Sequence, residues 1–340
     1  MINVGIVGAT GYAGEELIDI LLRHPDVRIT SLSAKIDKPS SISEIFPKLK
    51  GRITLVCAQP DIKQIIGKCD LVFLALPHTV SMEIVPALLK AGKKVIDLSA
   101  DYRLGDTKVY TEYYKTRHKD KINLSKAVYG LPELYRTKIK NAQLIANPGC
   151  YPTAAILALA PLVALNLVEP GSIIIDAKSG VTGAGKKLAE NFLFSELNED
   201  FKAYKVNTHQ HAPEINQELS KLAGKKLSVT FVPHLLPLNR GILETIYLKK
   251  RQKAKSKYQD LGNLYKKFYK KEPFIRIRGE GDFPKIKDVA GANFCDIGIK
   301  DSGDTIIVIA VIDNLLKGAS GQAVQNMNIM YKIPEYTALL

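Results

Sequence analysis

The stretch Asn147-Pro148-Gly149-Cys150 sets a thiol at the joint between a Pro-Gly turn and a long apolar run. The run predicts a helix over residues 153–165, so Cys150 stands just before a helix N-terminus. The positive end of a helix dipole lowers a thiol's pKa and raises the thiolate fraction, the form that attacks electrophilic carbon. A cysteine packed inertly in a turn fits the same stretch, and on this residue alone both readings stand. A thiol nucleophile works with a base. Of the six histidines, His209 and His211 form an H-x-H pair just before a helix expected from Pro213. An extended segment puts alternate residues on one face, so both rings can address one site. The pair also has the form of a metal half-site, but no third ligand cluster accompanies it, and no metal is expected. His234 is an outside candidate for the base. His78 follows a strand end and reads as a lining residue. His24 and His118 lie in polar segments and read as surface residues.

Cationic groups are set at other strand ends. Arg103 follows IDLSAD, Arg240 sits in LPLNRG before a strand, and SGVTGAGKK within residues 178–187 is a glycine-rich loop with hydroxyls and lysines. Each suits an exposed loop as well. Together they point to an acidic, phosphorylated small-molecule substrate.

A second chemistry is written near the start. Gly8, Gly11 and Gly14 fall between the first apolar run and the first helical pattern, with Thr10, Tyr12 and Ala13 between them. Glycines there permit a tight turn and close approach of backbone to a pyrophosphate, whose charge the helix N-terminus favours. These six residues are the expected dinucleotide contacts, with Pro77 and His78 at a later strand end. An NAD site usually carries Asp or Glu near the end of the second strand. Here Ser31, Ser33 and Lys35 occupy that place, hydroxyls and a cation that suit a 2′-phosphate. NADP is the expected cofactor, with Asp37 the one contrary residue.

These groups need a scaffold. In the first half INVGIVG, VRITSLS, DLVFLALP and KVIDLSA read as strands, with helical patterns between them. After Asp70, LVFLALP is apolar throughout, as in a strand covered on both faces. The alternation predicts a doubly wound α/β Rossmann domain with a parallel sheet. After Cys150 come longer β-branched runs (GSIIIDAKSG, LSVTFVPHL, GILETIYLKK, TIIVIAVIDN) with few helices between, which predict an α+β catalytic domain with a mostly antiparallel sheet. The expected division is 1–147 for the nucleotide domain, completed by a C-terminal helix within 316–340, and 148–315 for the catalytic and oligomerisation domain.

Composition narrows the class. The 340 residues are 46% hydrophobic and 24% charged, as in a globular protein. The opening residues lack the basic start of a secretory signal, and no apolar run is long enough to span a bilayer, so a cytoplasmic protein without membrane contact is expected. Cys57, Cys69 and Cys295 read as small apolar residues at or near strands, and no disulfide is expected. The net charge of +14 is densest over residues 249–271. A nucleic-acid patch would need aromatic platforms or a recognised motif beside it, and the stretch reads as a solvated face.

Nine motifs in order (GATGYAG, ALPH, DLSADYR, YGLPEL, NPGCYPTA, SGVTGAGKK, HQHAPEI, PLNRGI and DNLLKGASGQA) give the chain a resemblance to the N-acetyl-gamma-glutamyl-phosphate reductases of arginine biosynthesis, relatives of aspartate-semialdehyde dehydrogenase. The resemblance covers nearly the whole chain. It implies NADPH-dependent reduction of an acyl phosphate to a semialdehyde, with release of phosphate. It further implies Cys150 as nucleophile and His211, ahead of His209, as acid/base. Ser179, Gly180 and Arg103 would contact substrate or phosphate, Ser179 and Gly180 also cofactor, and Asn314 would lie near the nicotinamide. Members are commonly oligomeric, which implies a homodimer or tetramer. A lysine-biosynthetic cousin acts on a carrier-linked aminoadipyl phosphate and replaces the Tyr-Pro after its cysteine, whereas this chain has Tyr151-Pro152. The reading from another class is a nucleotide-sensing or nucleic-acid-binding protein.

Overall fold

A computed structural model describes residues 1–186, 188–252 and 260–340. The chain forms two compact units, Met1–Pro148 with Ala319–Leu340, and Gly149–Gly318.

The first unit is built on eight strands: β1 (Ile2–Val7), β2 (Val27–Ser33), β3 (Ser40–Ser41), β4 (Val56–Ala58), β5 (Leu71–Leu74), β6 (Lys94–Asp97), β7 (Val128–Tyr129) and β8 (Leu144–Ala146). They lie in the order β3-β4-β2-β1-β5-β6-β8-β7. Every pairing is parallel except β3 with β4. All four residues of β5 are buried, as its unbroken apolar run requires of a strand with both faces covered.

The helix Gly321–Met330 belongs to this unit and is buried along its whole length, Gln322, Gln325, Asn326 and Asn328 included. Burying amides is tolerable only with partners. Gln322 and Asn326 both donate to the Gly130 carbonyl, and Asn328 donates to the carbonyls of Glu335 and Thr337. The same asparagine corrects the reading of His24, which is buried: Nδ1 accepts from Asp26 N–H, and Nε2 meets Asn328 Oδ1 at 2.9 Å. His118 is likewise buried, with its ring against the edges of Tyr102 and Tyr110 and Nε2 at 2.6 Å from the Asp101 carbonyl. In both cases one ring nitrogen accepts a flanking backbone N–H and the other meets a group distant in sequence, and together they make burial of the imidazole possible.

The second unit carries β9 (Ile174–Ser179), β10 (Lys202–Ala203), β11 (Thr230–Leu235), β12 (Ile242–Lys249), β13 (Ile275–Ile277), β14 (Cys295–Ser302) and β15 (Thr305–Ile312), in the order β10-β11-β9-β12-β15-β14-β13. Among the described residues only β11–β9 and β13–β14 are parallel, so the sheet is mostly antiparallel. Strands β9, β11 and β12 alternate buried and less buried residues, one face packed and the other partly open.

The helix Cys150–Ala164 buries every residue from Tyr151 to Val163. Pro161 inside it has no N–H to give the Leu157 carbonyl one turn back. Tyr269 fills that role: its hydroxyl donates to Leu157 O at 2.5 Å, and the Tyr265 hydroxyl donates to Ala158 O. Tyr269→Phe should therefore cost about 1–3 kcal/mol by leaving a buried carbonyl unmet. Denaturant unfolding checks this, and a variant within experimental error of wild type would contradict it. Both tyrosines come from the basic 249–271 stretch. They are core residues, not platforms for nucleobases, and residues 253–259 of that stretch lie outside the described residues.

Candidate active site

Cys150 is the first residue of its helix, three positions earlier than the apolar run suggested, with Gly149 as an extended N-cap. Thr153 explains the early start, since its N–H and hydroxyl both donate to the Gly149 carbonyl at 2.9 Å and close the first turn. The thiol thus sits within the turn where the helix dipole acts, and the residue is partly exposed. Glu214, nearly fully buried, accepts the Gly149 N–H at 2.9 Å and fixes the backbone beneath the sulfur. Gly318 passes so close that a Cβ there would lie 2.8 Å from Cys150 Cβ. Cys57, Cys69 and Cys295 are buried, and burial pushes the thiols of Cys57 and Cys69 up, away from reactivity.

His209 and His211 stand before the helix Ala212–Ala223, with His211 as its N-cap. The expected extended segment is a turn instead, in which the His211 N–H donates to His209 Nδ1 at 3.1 Å. The turn still brings the rings together, with centroids 4.8 Å apart. Tyr151, next to Cys150 in the chain, ties them to the cysteine: its ring lies 5.6 Å from His209 and 5.9 Å from His211. Its hydroxyl pairs with that of Tyr204 at 3.1 Å. Burial raises both phenols, Tyr204 up to about 12, and the nearby Cys150 thiolate charge adds to this in each. Tyr204 and Glu214 escaped the sequence reading because neither stands in a spacing pattern with the cysteine.

The glycine-rich loop is zipped to the segment before β12. Gly180 N–H donates to Gly241 O, Val181 N–H to Leu238 O and Thr182 N–H to Asn239 O. A Cβ on Gly180 would collide with the backbone of Leu238, Asn239 and Arg240, so glycine is required. Asn314 clasps both sides, accepting Gly241 N–H at 2.7 Å and donating to Thr182 Oγ1 at 3.0 Å. Next to it, fully buried Asp313 holds the guanidinium of Arg240, whose side chain keeps 28% exposure. Ser179 is buried and donates to Gly180 O at 2.9 Å. Lys187 lies outside the described residues. His234 is on the open face of the sheet, with Nδ1 3.2 Å from Asp176, which in turn pairs with Lys178.

One buried carboxyl has no role in this arrangement. Glu244 shares the packed face of β12 with Ile242 and Ile246, between Ala177 and Ala310 on the flanking strands. It is fully buried, and neither of its oxygens has a hydrogen-bond partner among the described residues. Burial holds its pKa well above the usual range, and the Lys178 charge offsets only part of this. The folded chain therefore grips this proton more tightly than the unfolded chain. The destabilisation is absent below the unfolded carboxylate pKa and grows as pH rises through it. Glu244→Met should be more stable than wild type, by about 1–3 kcal/mol from the two unmet oxygens alone, and by more at pH 8 than at pH 4. Thermal unfolding at the two pH values tests this, and a variant less stable than wild type at pH 8 would refute it.

The first unit holds the other predicted residues. Helix Tyr12–Leu21 is capped by Gly11, and no side chain reaches back to its first N–H groups. Gly8 has φ +91°, and a Cβ there would lie 2.1 Å from Ala75 O; one on Gly14 would lie 2.4 Å from Gly8 O. A Cβ on Gly11 meets only Gly8 O at 3.6 Å, so its side of the turn is open. The Ser320 hydroxyl from the C-terminal segment braces the turn at Ala13 O. At the end of β2 the buried Ser33 hydroxyl has no partner among the described residues, and Lys35 and Asp37 are exposed. An open glycine turn on an uncapped helix and an unmet hydroxyl at the second strand's end fit a dinucleotide. Pro77 and His78 are exposed after β5, and His78 Nδ1 accepts Ala100 N–H. Thr79 follows with φ +76°, a strained value for a β-branched residue, held by its N–H to Asp101 Oδ1 at 2.7 Å. Arg103 is buried and donates to the carbonyls of Asn147 and Leu98, both at 2.7 Å. Among the described residues no group of three or more His, Cys, Asp or Glu side chains is placed to hold a metal ion, and no helix is long and apolar enough to cross a membrane.

Comparison with known proteins adds to this geometry. Residues 3–142 match the family model for the semialdehyde dehydrogenase NAD binding domain, and residues 150–314 that for the semialdehyde dehydrogenase dimerisation domain. The N-acetyl-gamma-glutamyl-phosphate reductase of Alkaliphilus metalliredigens is 49% identical over 100% of this chain and 98% of its own. That of Citrifermentans bemidjiense is 51% identical over the same shares. Among solved structures, aspartate semialdehyde dehydrogenase II of Vibrio cholerae superposes with a TM-score of 0.73 over 98% of both chains at 18% identity, a likeness of fold.

Proposed function

The chain belongs to the N-acetyl-gamma-glutamyl-phosphate reductase family of semialdehyde dehydrogenases, and from that premise we propose that it reduces N-acetyl-gamma-glutamyl phosphate to N-acetylglutamate 5-semialdehyde in arginine biosynthesis. The observation that carries this reading is the partly exposed Cys150 at the first position of a helix, joined through Tyr151 to the His209–His211 turn.

The Cys150 thiolate adds to the acyl carbon and phosphate leaves, forming a thioester on the sulfur. Phosphate is a good leaving group, and the thioester splits a direct displacement of phosphate by hydride into two easier steps. A nicotinamide, when bound, supplies the hydride that reduces this thioester. His211 protonates the oxygen of the resulting thiohemiacetal and takes the proton back as it collapses to aldehyde and thiolate. His209, whose Nδ1 is occupied by the His211 N–H, orients its neighbour. Arg240, clamped by Asp313, and Arg103, at the strand end before Cys150, are the proposed anion-binding groups, with Ser179 and Gly180 beside the acyl group and cofactor. Asn314 sets the loop that carries Ser179 and Gly180.

NADP is the proposed form of the cofactor, held at Gly8, Thr10, Gly11, Tyr12, Ala13 and Gly14, with Pro77 and His78 beyond. Support comes from the unmet Ser33 hydroxyl and the Lys35 cation where an NAD site usually has a carboxylate. A homodimer, or a tetramer made from it, is the proposed assembly, with the open face of the second sheet, where Ile174 and Tyr247 are exposed, as its contact surface. A cytoplasmic setting suits four free thiols.

The test is a substrate comparison in the oxidative direction, with phosphate and either NADP or NAD. N-acetylglutamate semialdehyde with NADP should give the highest kcat/KM, above aspartate semialdehyde and a carrier-linked aminoadipate semialdehyde. Preference for either of the other two would overturn the substrate assignment, and equal use of NAD would overturn the cofactor.

A further inference from the structure

Pro77 and His78, two of the proposed cofactor contacts, stand between β5 and the helix Ser81–Lys90. Thr79, the joint of that turn, has φ +76°. A β-branched residue enters the left-handed region only at a cost, and it stays there when its surroundings over-determine it. Here the surroundings are one loop, residues 98–103, which follows β6. Thr79 N–H donates to Asp101 Oδ1 at 2.7 Å, and Ala100 N–H donates to His78 Nδ1 at 3.1 Å. Two adjacent residues of the turn are thus held by two adjacent residues of the loop.

The loop is itself fixed. Asp101 is fully buried, and the Tyr110 hydroxyl donates to the same Oδ1 at 2.7 Å. Asp101 N–H donates to Ser99 Oγ, and that hydroxyl donates in turn to Asp97 Oδ2 at 2.8 Å. Asp97, also fully buried, accepts the Ser81 hydroxyl at 2.7 Å and ties the loop to the start of the helix. His118 closes the far side, with Nε2 at 2.6 Å from Asp101 O. Arg103 pins the loop's end to the Asn147 carbonyl. Burying a carboxylate is tolerable only with donors such as these. Asp101 also caps the helix from a distance, since Oδ2 accepts Met82 N–H at 3.3 Å where Val80 supplies no side-chain cap. That contact is the longer one, and the short one goes to the strained residue.

We propose that Asp101 is a positioning residue for the cofactor: its bond to Thr79 N–H holds the turn left-handed and so fixes where Pro77 and His78 meet the dinucleotide. Asp101 acts only through the turn. The bond from Ala100 works in the same direction, because it sets the orientation of the His78 ring and leaves the neutral ring's proton on Nε2. The role of Asp101 rests on reading this turn as a cofactor segment.

A double-mutant cycle tests it. Glycine enters the left-handed region without strain, so Thr79→Gly removes the need for a clamp. NADPH affinity is followed by the nucleotide's fluorescence in wild type, Asp101→Ala, Thr79→Gly and the double variant. Asp101→Ala should weaken binding at least tenfold when residue 79 is threonine and at most threefold when it is glycine. A residue that only supports the fold or caps the helix would cost the same factor in both backgrounds, and that result overturns the proposal. Thr79→Pro breaks the same bond from its donor end and leaves the buried carboxylate its other donors, so it decides the matter even where Asp101→Ala does not fold. Proline has no N–H and holds φ at about −65°, and Thr79 is only half-buried. Thr79→Pro should weaken NADPH binding at least tenfold, and wild-type affinity in that variant overturns the proposal. Wild-type protein that binds neither NADPH nor NADH would remove the cofactor reading itself, whereas a wild type that binds and a cycle without coupling remove only the role of Asp101.

Discussion

Cys150→Ser is expected to lower kcat for phosphate-dependent oxidation of the semialdehyde by at least about 10³-fold, the scale on which losing a covalent nucleophile acts. The serine hydroxyl occupies nearly the same volume, and the helix start depends on Gly149 and Thr153, so the site's framework survives. What is lost is the ionised nucleophile. The positive end of the helix dipole favours a thiolate at that position, whereas a serine hydroxyl there stays un-ionised. NADPH affinity should be unchanged, which separates lost chemistry from lost fold. Cys57→Ser and Cys295→Ser should keep turnover within a few-fold of wild type, since both thiols are buried strand residues. Turnover of Cys150→Ser within tenfold of wild type would end the thioester mechanism.

The parts of the fold legible in the sequence are those where one local rule decides the outcome. A short apolar run bounded by turn residues fits a strand covered on both faces, and β5 is one. Glycines between a strand and a helix have to make a turn, and Gly8 and Gly14 leave no room for a Cβ. The turn at Asn147-Pro148-Gly149 likewise announced a helix, but not that Thr153 would start it at Cys150. Residues whose environment is assembled from distant segments were not legible. His24 looks like a surface residue until Asn328 arrives from the far end of the chain to meet its ring. His118 depends in the same way on Tyr102, Tyr110 and the Asp101 carbonyl. Gln322 and Asn326 make a helix look half exposed, and it is fully buried because Gly130 offers them a carbonyl. Tyr204 and Glu214 reach the cysteine through the tertiary fold, which no spacing encodes.

The histidine pair shows the same limit, and a pair of variants separates the two roles. His211→Asn should lower kcat by about 10²–10⁴-fold, the range of a lost general acid/base, and should flatten the limb of the pH–rate profile that an imidazole sets. His209→Asn should do less. The turn makes His209 Nδ1 an acceptor for the His211 N–H, so the neutral ring carries its proton on Nε2 and is fixed in orientation. An asparagine side-chain oxygen can accept the same N–H, so the turn can be kept without the ring. The packing of His209 against Tyr151, Tyr204 and Phe231 is lost with it. The expected signature is a lower kcat with the pH profile retained, and a partial loss of thermal stability. His209→Ala, which removes the acceptor as well, should be worse than His209→Asn in both respects. Burial agrees with this order, because His209 is buried while His211, at the cap of its helix, keeps partial access to solvent for proton exchange. If His209→Asn flattens the pH profile and His211→Asn leaves it intact, the acid/base role passes to His209 and the turn holds His211 as its support.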